Sequence, residues 1–400
     1  MIKVAVFGYG TVGSGVVDVI DDNNELISKR IGDDICVKYI LDIRNFPGDR
    51  NEAKIVHDVN VVIDDPEVSI ICETMGGTKF AYPYTKSALE KGKSVCTSNK
   101  ELVAAYGPEL LETAKANNCS YLFEASVGGG IPIIRPMNTS LAPEHIEKIT
   151  GILNGTTNYM LTKMAREGSN YDDVLKEAQD KGYAERIPEA DVEGYDACRK
   201  IAILSSLMTG KTVNYENIYT EGITKLTALD FEYAAKLDRS IKLLAIAEDK
   251  GGKLAAMVAP FMIGKEHPLN GVNDVFNAIY VTGNKVDDVM FYGKGAGMLP
   301  TASAVVSDVI ECARTLGRNI SFTWSDEKAP LADFKDNIRS FFVRIKLNAK
   351  DEAKALFGDA KEVEGASNEY AFVTAKMSER EFDDKIVKLS DVINIIRIEE

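Results

Sequence analysis

Through the first third of the chain, short apolar runs of β-forming residues alternate with stretches of helical period. Lys3-Val4-Ala5-Val6-Phe7 stops at the turn Gly8-Tyr9-Gly10-Thr11-Val12-Gly13, and an apolar stretch from Gly15 to Ile20 reads as a helix. Further strands are predicted over 37–41, 69–74, 94–97 and 120–124, which is the pattern of a parallel sheet covered by helices. Gly128-Gly129-Gly130-Ile131-Pro132 breaks that alternation. From about 138 to 290 helices and strands mix. A second glycine-rich turn and a helix from Ala302 onward follow in 291–317, and 340–400 reads strand, helix, two strands, helix, strand. No repeat and no low-complexity linker interrupts the chain.

Each glycine of the first turn has a physical job. Gly8 permits the tight bend, Gly10 lets backbone approach a pyrophosphate, and Gly13 lets the helix pack closely on the strand. The phosphates would sit on the unpaired N–H groups and positive dipole end of the following helix. Residues 1–136 are therefore expected to form a Rossmann-type, doubly wound domain that binds NADP or NAD. The second strand ends Leu41-Asp42-Ile43-Arg44. An acid there binds the ribose 2′-hydroxyl of NAD, whereas an Arg accommodates the 2′-phosphate of NADP. With both present two positions apart, the preference stays open.

Composition narrows the partners. The 400 residues allow two or three domains, and 45% hydrophobic with 27% charged residues is ordinary for a globular chain. A formal net charge of -14 argues against nucleic acid or an acidic membrane, since both need a basic face. No uncharged apolar run is long enough to span a bilayer. Met1-Ile2-Lys3 leads straight into the first strand and leaves no room for a leader, so the cytoplasm is the expected location. The six cysteines form no C-x-x-C pair and read as reduced packing residues. His57, His145 and His267 are the only histidines and none sits in a motif, so proton transfer falls to Lys, Tyr, Asp or Glu.

Two lysines are badly placed for structure alone. Ser98 and Glu101 have capping-box spacing, which puts Lys100 in the first turn of a helix over 101–116. There a cation opposes the helix dipole by ~0.3–1 kcal/mol, at the carboxyl end of a parallel strand where open α/β sheets bind ligands. The second lysine gives the stronger signal. A helix over 196–208, projected at ~100° per residue, puts Asp196 and Lys200 inside its apolar arc. A solvated i,i+4 ion pair belongs on the opposite face. Charges that point inward are costly unless satisfied or used.

On these residues the chain resembles homoserine dehydrogenase. The match carries the first glycine turn, Ser98-Asn99-Lys100-Glu101, Glu124 to Pro132, Gly151-Ile152-Leu153-Asn154-Gly155-Thr156-Thr157-Asn158-Tyr159, Gly182-Tyr183-Ala184-Glu185, Asp191, Gly194 to Lys200, and Gly293 to Thr301. It runs in unbroken order over about 1–320. The resemblance implies reversible NAD(P)-linked interconversion of L-homoserine and L-aspartate 4-semialdehyde, in the biosynthesis of threonine, methionine and isoleucine from aspartate. It implies that Lys200 and Lys100, with Asp196, serve proton transfer and positioning. Glu185, Asp191 and Asp196, with Tyr183 and Thr156, would hold the substrate. Gly8, Gly10, Thr11, Val12, Gly13, Thr74, Lys100, Gly295 and Gly297 would hold the dinucleotide. It further implies a structural Na+ or K+ at the turn of Glu124, Val127, Gly129 and Ile131, and a homodimer or homotetramer.

The expected organisation is a nucleotide domain over 1–136 and an α+β catalytic and dimerisation domain over 137–290. A return segment over 291–325 rejoins the nucleotide domain, and a small ACT-like βαββαβ domain covers 335–400. The tail's first loop, Asn348-Ala349-Lys350-Asp351-Glu352, lacks a Pro-Gly turn, so a dimerising role and an inhibitor-binding role both stay open. Two rivals remain. An aspartate semialdehyde dehydrogenase would need a cysteine nucleophile in an electropositive turn. A non-catalytic nucleotide sensor would have no need for an inward-facing Lys200.

Overall fold

Strands that read as continuous apolar runs need both faces covered, and the first unit of the fold does this. The computed structural model describes residues 1–400 and divides into two units. The first comprises Met1–Glu144, Ala202–Tyr215 and Phe291–Ala329. Its six parallel strands are β1 (Ile2–Phe7), β2 (Ile35–Leu41), β3 (Ile55–Val56), β4 (Val68–Glu73), β5 (Ser94–Thr97) and β6 (Tyr121–Leu122). They lie in the order β3-β2-β1-β4-β5-β6, with Val6 opposite Ile40 on one side and Cys72 on the other. This is the doubly wound order, and its direction reverses at β1 and β4. Ligands of such sheets bind outside the carboxyl ends at that point, here Phe7 and Glu73.

Besides the short edge strand β3, which the pattern did not predict, two elements differ from the sequence expectation. The last strand is only Tyr121–Leu122, because the chain turns at Glu124–Ser126 into a single 3-10 turn. The late helix is Met298–Arg314 and starts before Ala302; Pro300 is accommodated in its first turn, where an N–H is not required. That helix packs on helix Thr11–Asp22. A Cβ at Gly15 would lie 2.9 Å from the Met298 side chain and 3.1 Å from that of Ala302, so the glycine permits the close approach. Val16, Val17, Ile20, Val305 and Val309 fill the core beneath. All six cysteines are free thiols, and the Cys96 and Cys312 sulfurs meet at 3.7 Å inside the unit.

The second unit comprises His145–Ile201, Glu216–Met290 and Pro330–Glu400. Strands Arg239–Asp249 and Leu254–Gly264 pair antiparallel along their whole length. Ile146–Ile152 and then Phe276–Gly283 extend the sheet on one side. On the other side Val392–Glu399 adds in parallel and leads to Phe341–Lys346, Glu369–Val373 and Lys361–Val363. The tail thus has the strand, helix, two strands, helix, strand order read from its pattern, with helices Lys350–Leu356 and Glu379–Ile386. Its core stacks Phe341 on Phe382, ring centroids 3.8 Å apart. No helix of the chain is long and apolar enough to cross a membrane.

Candidate active site

Gly8 has φ +89°, a conformation L side chains rarely adopt, and it turns the chain out of β1. A Cβ at Gly13 would fall 1.9 Å from the Gly8 carbonyl oxygen, so only glycine fits there. Gly10, by contrast, has nothing within 4 Å of where a Cβ would stand, which leaves its backbone open to a ligand. Helix Thr11–Asp22 begins there with no side-chain cap and no acid in its first turn. Its N–H groups and dipole are thus unopposed, which fits a pyrophosphate. Thr74, following β4, donates its hydroxyl to the carbonyls of Phe7 (3.0 Å) and Gly8 (2.9 Å) and locks the turn from behind. Val12 is partly buried against the core. Gly297 precedes the second helix N-terminus of this unit with φ +118°. Gly295 supplies the carbonyl that crowds Gly129.

At the end of β2, Asp42 and Arg44 are bound to each other. Asp42 Oδ1 accepts from Arg44 N (2.9 Å) and Nε (3.0 Å), and Oδ2 from Arg44 Nη2 (2.9 Å) and Tyr9 N (2.8 Å). Arg44 also donates to the Tyr9 carbonyl (3.1 Å), so the pair braces the glycine turn. The guanidinium holds the Asp42 carboxyl down at about 2. Asp42 is buried, whereas the Arg44 side chain is 57% exposed.

The ends of β4 and β5 are joined through Glu73, a fully buried carboxyl. It accepts from Thr97 Oγ1 (2.5 Å) and Met75 N (2.8 Å). Burial pushes its pKa up to about 7. The cap of helix Lys100–Ala116 is Asn99, whose side chain accepts from Leu102 N, and not the Ser98 that capping-box spacing suggested. Asn99 also donates to the Gly77 carbonyl (2.7 Å), a tertiary contact Ser98 does not make. Lys100 lies in the first turn, as expected, and is the first helical residue, one position before the expected start; it is partly exposed.

In the second unit, the opening turns of helix Tyr195–Thr209 hold Asp196 and Lys200 inward, 6% and 9% exposed. Lys200 Nζ donates to Asp196 Oδ2 and to the Leu153 carbonyl, both at 2.7 Å. Asn154 is the residue that sequence reasoning passed over. Its amide donates to Asp191 Oδ1 (2.7 Å) and Asp196 Oδ2 (2.9 Å), while its oxygen caps helix Gly155–Glu167 by accepting from Thr157 N (2.9 Å). The signal was an Asn directly before a helix, visible but ordinary. One amide thus joins Asp191 to Asp196, and Asp196 in turn holds Lys200. Thr156 donates to the Tyr183 carbonyl (2.5 Å), which fixes the 183–185 segment to the same helix start. Tyr183 and Glu185 are exposed, and the Glu185 carbonyl accepts from Gln179.

The Glu124 carboxylate has a different task. It accepts from the N–H groups of Ile133 (2.6 Å), Ile134 (2.8 Å) and Arg135 (2.7 Å) and so caps helix Ile134–Asn138. Its oxygens are committed to backbone, so a cation at the turn of Glu124, Val127, Gly129 and Ile131 would rest on main-chain carbonyls.

Two family models match this chain: "Homoserine dehydrogenase, NAD binding domain" over residues 8–124 and "Homoserine dehydrogenase" over residues 132–310. The homoserine dehydrogenase of Bacillus subtilis (strain 168) is 41% identical over 358 residues, 88% of this chain and 82% of that protein. The chain belongs to the homoserine dehydrogenase family. Its activity is that of an NAD(P)-dependent oxidoreductase acting on a CH–OH group. The crystal structure of a homoserine dehydrogenase from Thiobacillus denitrificans matches with a TM-score of 0.92 at 34% identity, covering 100% of this chain and 98% of that one. A hyperthermophilic archaeal homoserine dehydrogenase in complex with NADPH matches with a TM-score of 0.66 at 28% identity, covering 78% of this chain and 97% of that one.

Proposed function

We propose that the chain interconverts L-homoserine and L-aspartate 4-semialdehyde with its two units in separate roles. The first binds NAD or NADP through Gly8, Gly10, Thr11, Val12, Gly13 and Lys100, with Gly295 and Gly297 at the second helix start and Thr74 behind the turn. The second binds the amino acid and moves the proton. The observation that carries this reading is the cluster in which Asn154 donates to Asp191 and Asp196, and Asp196 accepts from Lys200. When bound, the dinucleotide supplies the hydride chemistry at the substrate carbon. Every other task belongs to side chains. Asp191 and Asp196, with Glu185, hold the substrate's ammonium, and Thr156 and Tyr183 shape the edge of its pocket. Lys200 has three N–H groups and spends two on Leu153 and Asp196. The third is left for the carbonyl oxygen, to which Lys200 gives a proton on reduction and from which it takes one on oxidation.

The same reading includes finer assignments. Arg44, exposed at its guanidinium and braced by Asp42, lets the site accept NADP as well as NAD, in keeping with the NADPH complex of the archaeal relative. A Na+ or K+ is held at the Glu124 turn by main-chain carbonyls. The domains are 1–136 with the return segment 291–325, 137–290, and an ACT-like 335–400, assembled as a homodimer or homotetramer. Six free thiols suit the reducing cytoplasm.

The test is to follow nicotinamide absorbance with L-homoserine and each dinucleotide, in wild type, Lys200→Ala and Lys200→Arg. Lys200→Ala is expected to lose ~10²–10⁴ in turnover while still binding dinucleotide. Lys200→Arg should recover little, because a guanidinium does not release its proton near neutral pH. A folded Lys200→Ala protein with near wild-type turnover would remove Lys200 from the mechanism.

A further inference from the structure

A fully buried carboxyl is costly unless its oxygens are used, and those of Glu73, the last residue of β4, are used on two loops at once. Oε1 accepts from Met75 N (2.8 Å) in the loop that follows β4, and Oε2 accepts from Thr97 Oγ1 (2.5 Å) at the end of β5. Thr97 Oγ1 accepts in turn from Asn99 N (2.9 Å). The Ser98 N–H donates to the Glu73 carbonyl (3.3 Å), so main chain and side chain draw the same turn toward β4. Asn99 then caps helix Lys100–Ala116 through Leu102 N (3.1 Å). The body of that helix is anchored separately. Leu110, Leu111 and Ala114 are buried, and a Cβ at Gly107 would lie 2.8 Å from the Trp324 ring. Its first turn, where Lys100 stands, hangs on the chain Glu73–Thr97–Asn99.

We propose that Glu73 is a positioning residue: through Thr97 it sets the first turn of the Lys100 helix, and with it the place of Lys100 at the dinucleotide. This rests on the role of Lys100 in the proposed function. Phe7 and Glu73 mark the switch point where ligands of this sheet bind, so a group that fixes the β5 loop against the β4 loop acts at the mouth of the site. A carboxyl has two oxygens, one for Met75 and one for Thr97, whereas an amide has one. Misplacing an orienting group by about 1 Å costs as much as ~10²-fold in rate, even when the change is made away from the chemistry.

Steady-state kinetics with L-homoserine and each dinucleotide test this, on proteins shown by thermal melts to be folded. The variants are Thr97→Val, Thr97→Ser, Lys100→Ala and the double variant Thr97→Val with Lys100→Ala. Thr97→Val keeps the side-chain shape and removes the hydroxyl. Its kcat should fall ~10-fold or more, with the KM for L-homoserine within about threefold of wild type. Thr97→Ser, which keeps the hydroxyl, should recover most of the rate. Once Lys100 is gone its placement no longer matters, so Thr97→Val should cost less than ~2-fold further in the Lys100→Ala background. A Thr97 that only supported the fold would multiply the two losses. Glu73→Gln, with one acceptor oxygen for two donors, should lose at least ~3-fold in kcat with the same non-additivity, and it decides the matter should Thr97→Val not fold. Wild-type kcat in folded Thr97→Val, equal loss in Thr97→Ser, or full multiplication would each overturn the inference while a defective Lys100→Ala leaves the role of Lys100 standing. Wild-type turnover in Lys100→Ala would remove that role and this inference with it.

Discussion

Asp42 and Arg44 brace the glycine turn as a bonded pair. Both Asp42 oxygens are occupied by Arg44 and the Tyr9 N–H, so Asp42 is poorly placed to accept from a ribose while Arg44 stays folded back. Arg44→Ala should free that carboxylate for a 2′-hydroxyl and remove the cation facing a 2′-phosphate. The ratio of NADP to NAD efficiency is then expected to fall by about tenfold, ~1.4 kcal/mol, in initial-rate assays; an unchanged ratio would mean that Arg44 only braces the turn. Glu73 makes a prediction about pH. Its folded pKa of about 7 exceeds the ordinary 4.5, so between those values the folded state binds more protons than the unfolded one. Stability therefore falls as pH rises through that window, by roughly 3 kcal/mol in all. Glu73→Gln cannot ionise and should be more stable than wild type at pH 8 but close to it at pH 4.5. Urea unfolding followed by Trp324, the one tryptophan and part of the same unit, checks this, and parallel pH profiles for the two proteins would refute it.

Among the elements, the first strand, turn and helix were legible because their signals are local. An apolar run, glycines at fixed offsets and a helical stretch follow each other within a short length of chain. The glycines nonetheless differ in kind. Gly13 is required by the protein itself, since a Cβ there meets the Gly8 carbonyl. Gly10 is open on the protein side. Gly10→Ala should therefore keep stability within ~0.5 kcal/mol of wild type yet weaken dinucleotide binding at least ~10-fold. Gly13→Ala should lose both. Thermal melts with and without dinucleotide separate the two outcomes, and full binding by Gly10→Ala would show that no ligand approaches that backbone. The helix caps were less legible. Ser98 and Asn99 are both good capping types, and the choice of Asn99 turns on its contact with Gly77, far back along the chain.

Across the molecule, charge placement matters more than net charge. Arg344 in the tail is 3% exposed and donates to Glu369 at 2.9 and 3.0 Å and to Asp230 at 2.6 Å. Asp230 is fully buried, caps helix Ala228–Lys236 and also accepts from Asn394. This network ties the tail to the rest of the second unit through charges that were unreadable as partners, since they come from distant stretches of chain. Removing one member leaves the others buried and unpaired. Arg344→Ala should cost about 3–5 kcal/mol in urea unfolding followed by circular dichroism, and a loss below ~1 kcal/mol would show that the cluster relaxes or admits water.

Local pattern was enough to establish the parallel α/β core, the dinucleotide turn, the inward face of Asp196 and Lys200, and the element order of the tail. These follow from backbone periods of two and 3.6 residues and from glycine sterics, which act over a few positions. Folding in three dimensions settled the rest: that Asn154 joins Asp191 to Asp196, that Arg44 folds back on Asp42, and that Asn99 and not Ser98 caps its helix. Partnerships between polar groups far apart in the chain depend on how whole elements pack, and no local pattern carries that information.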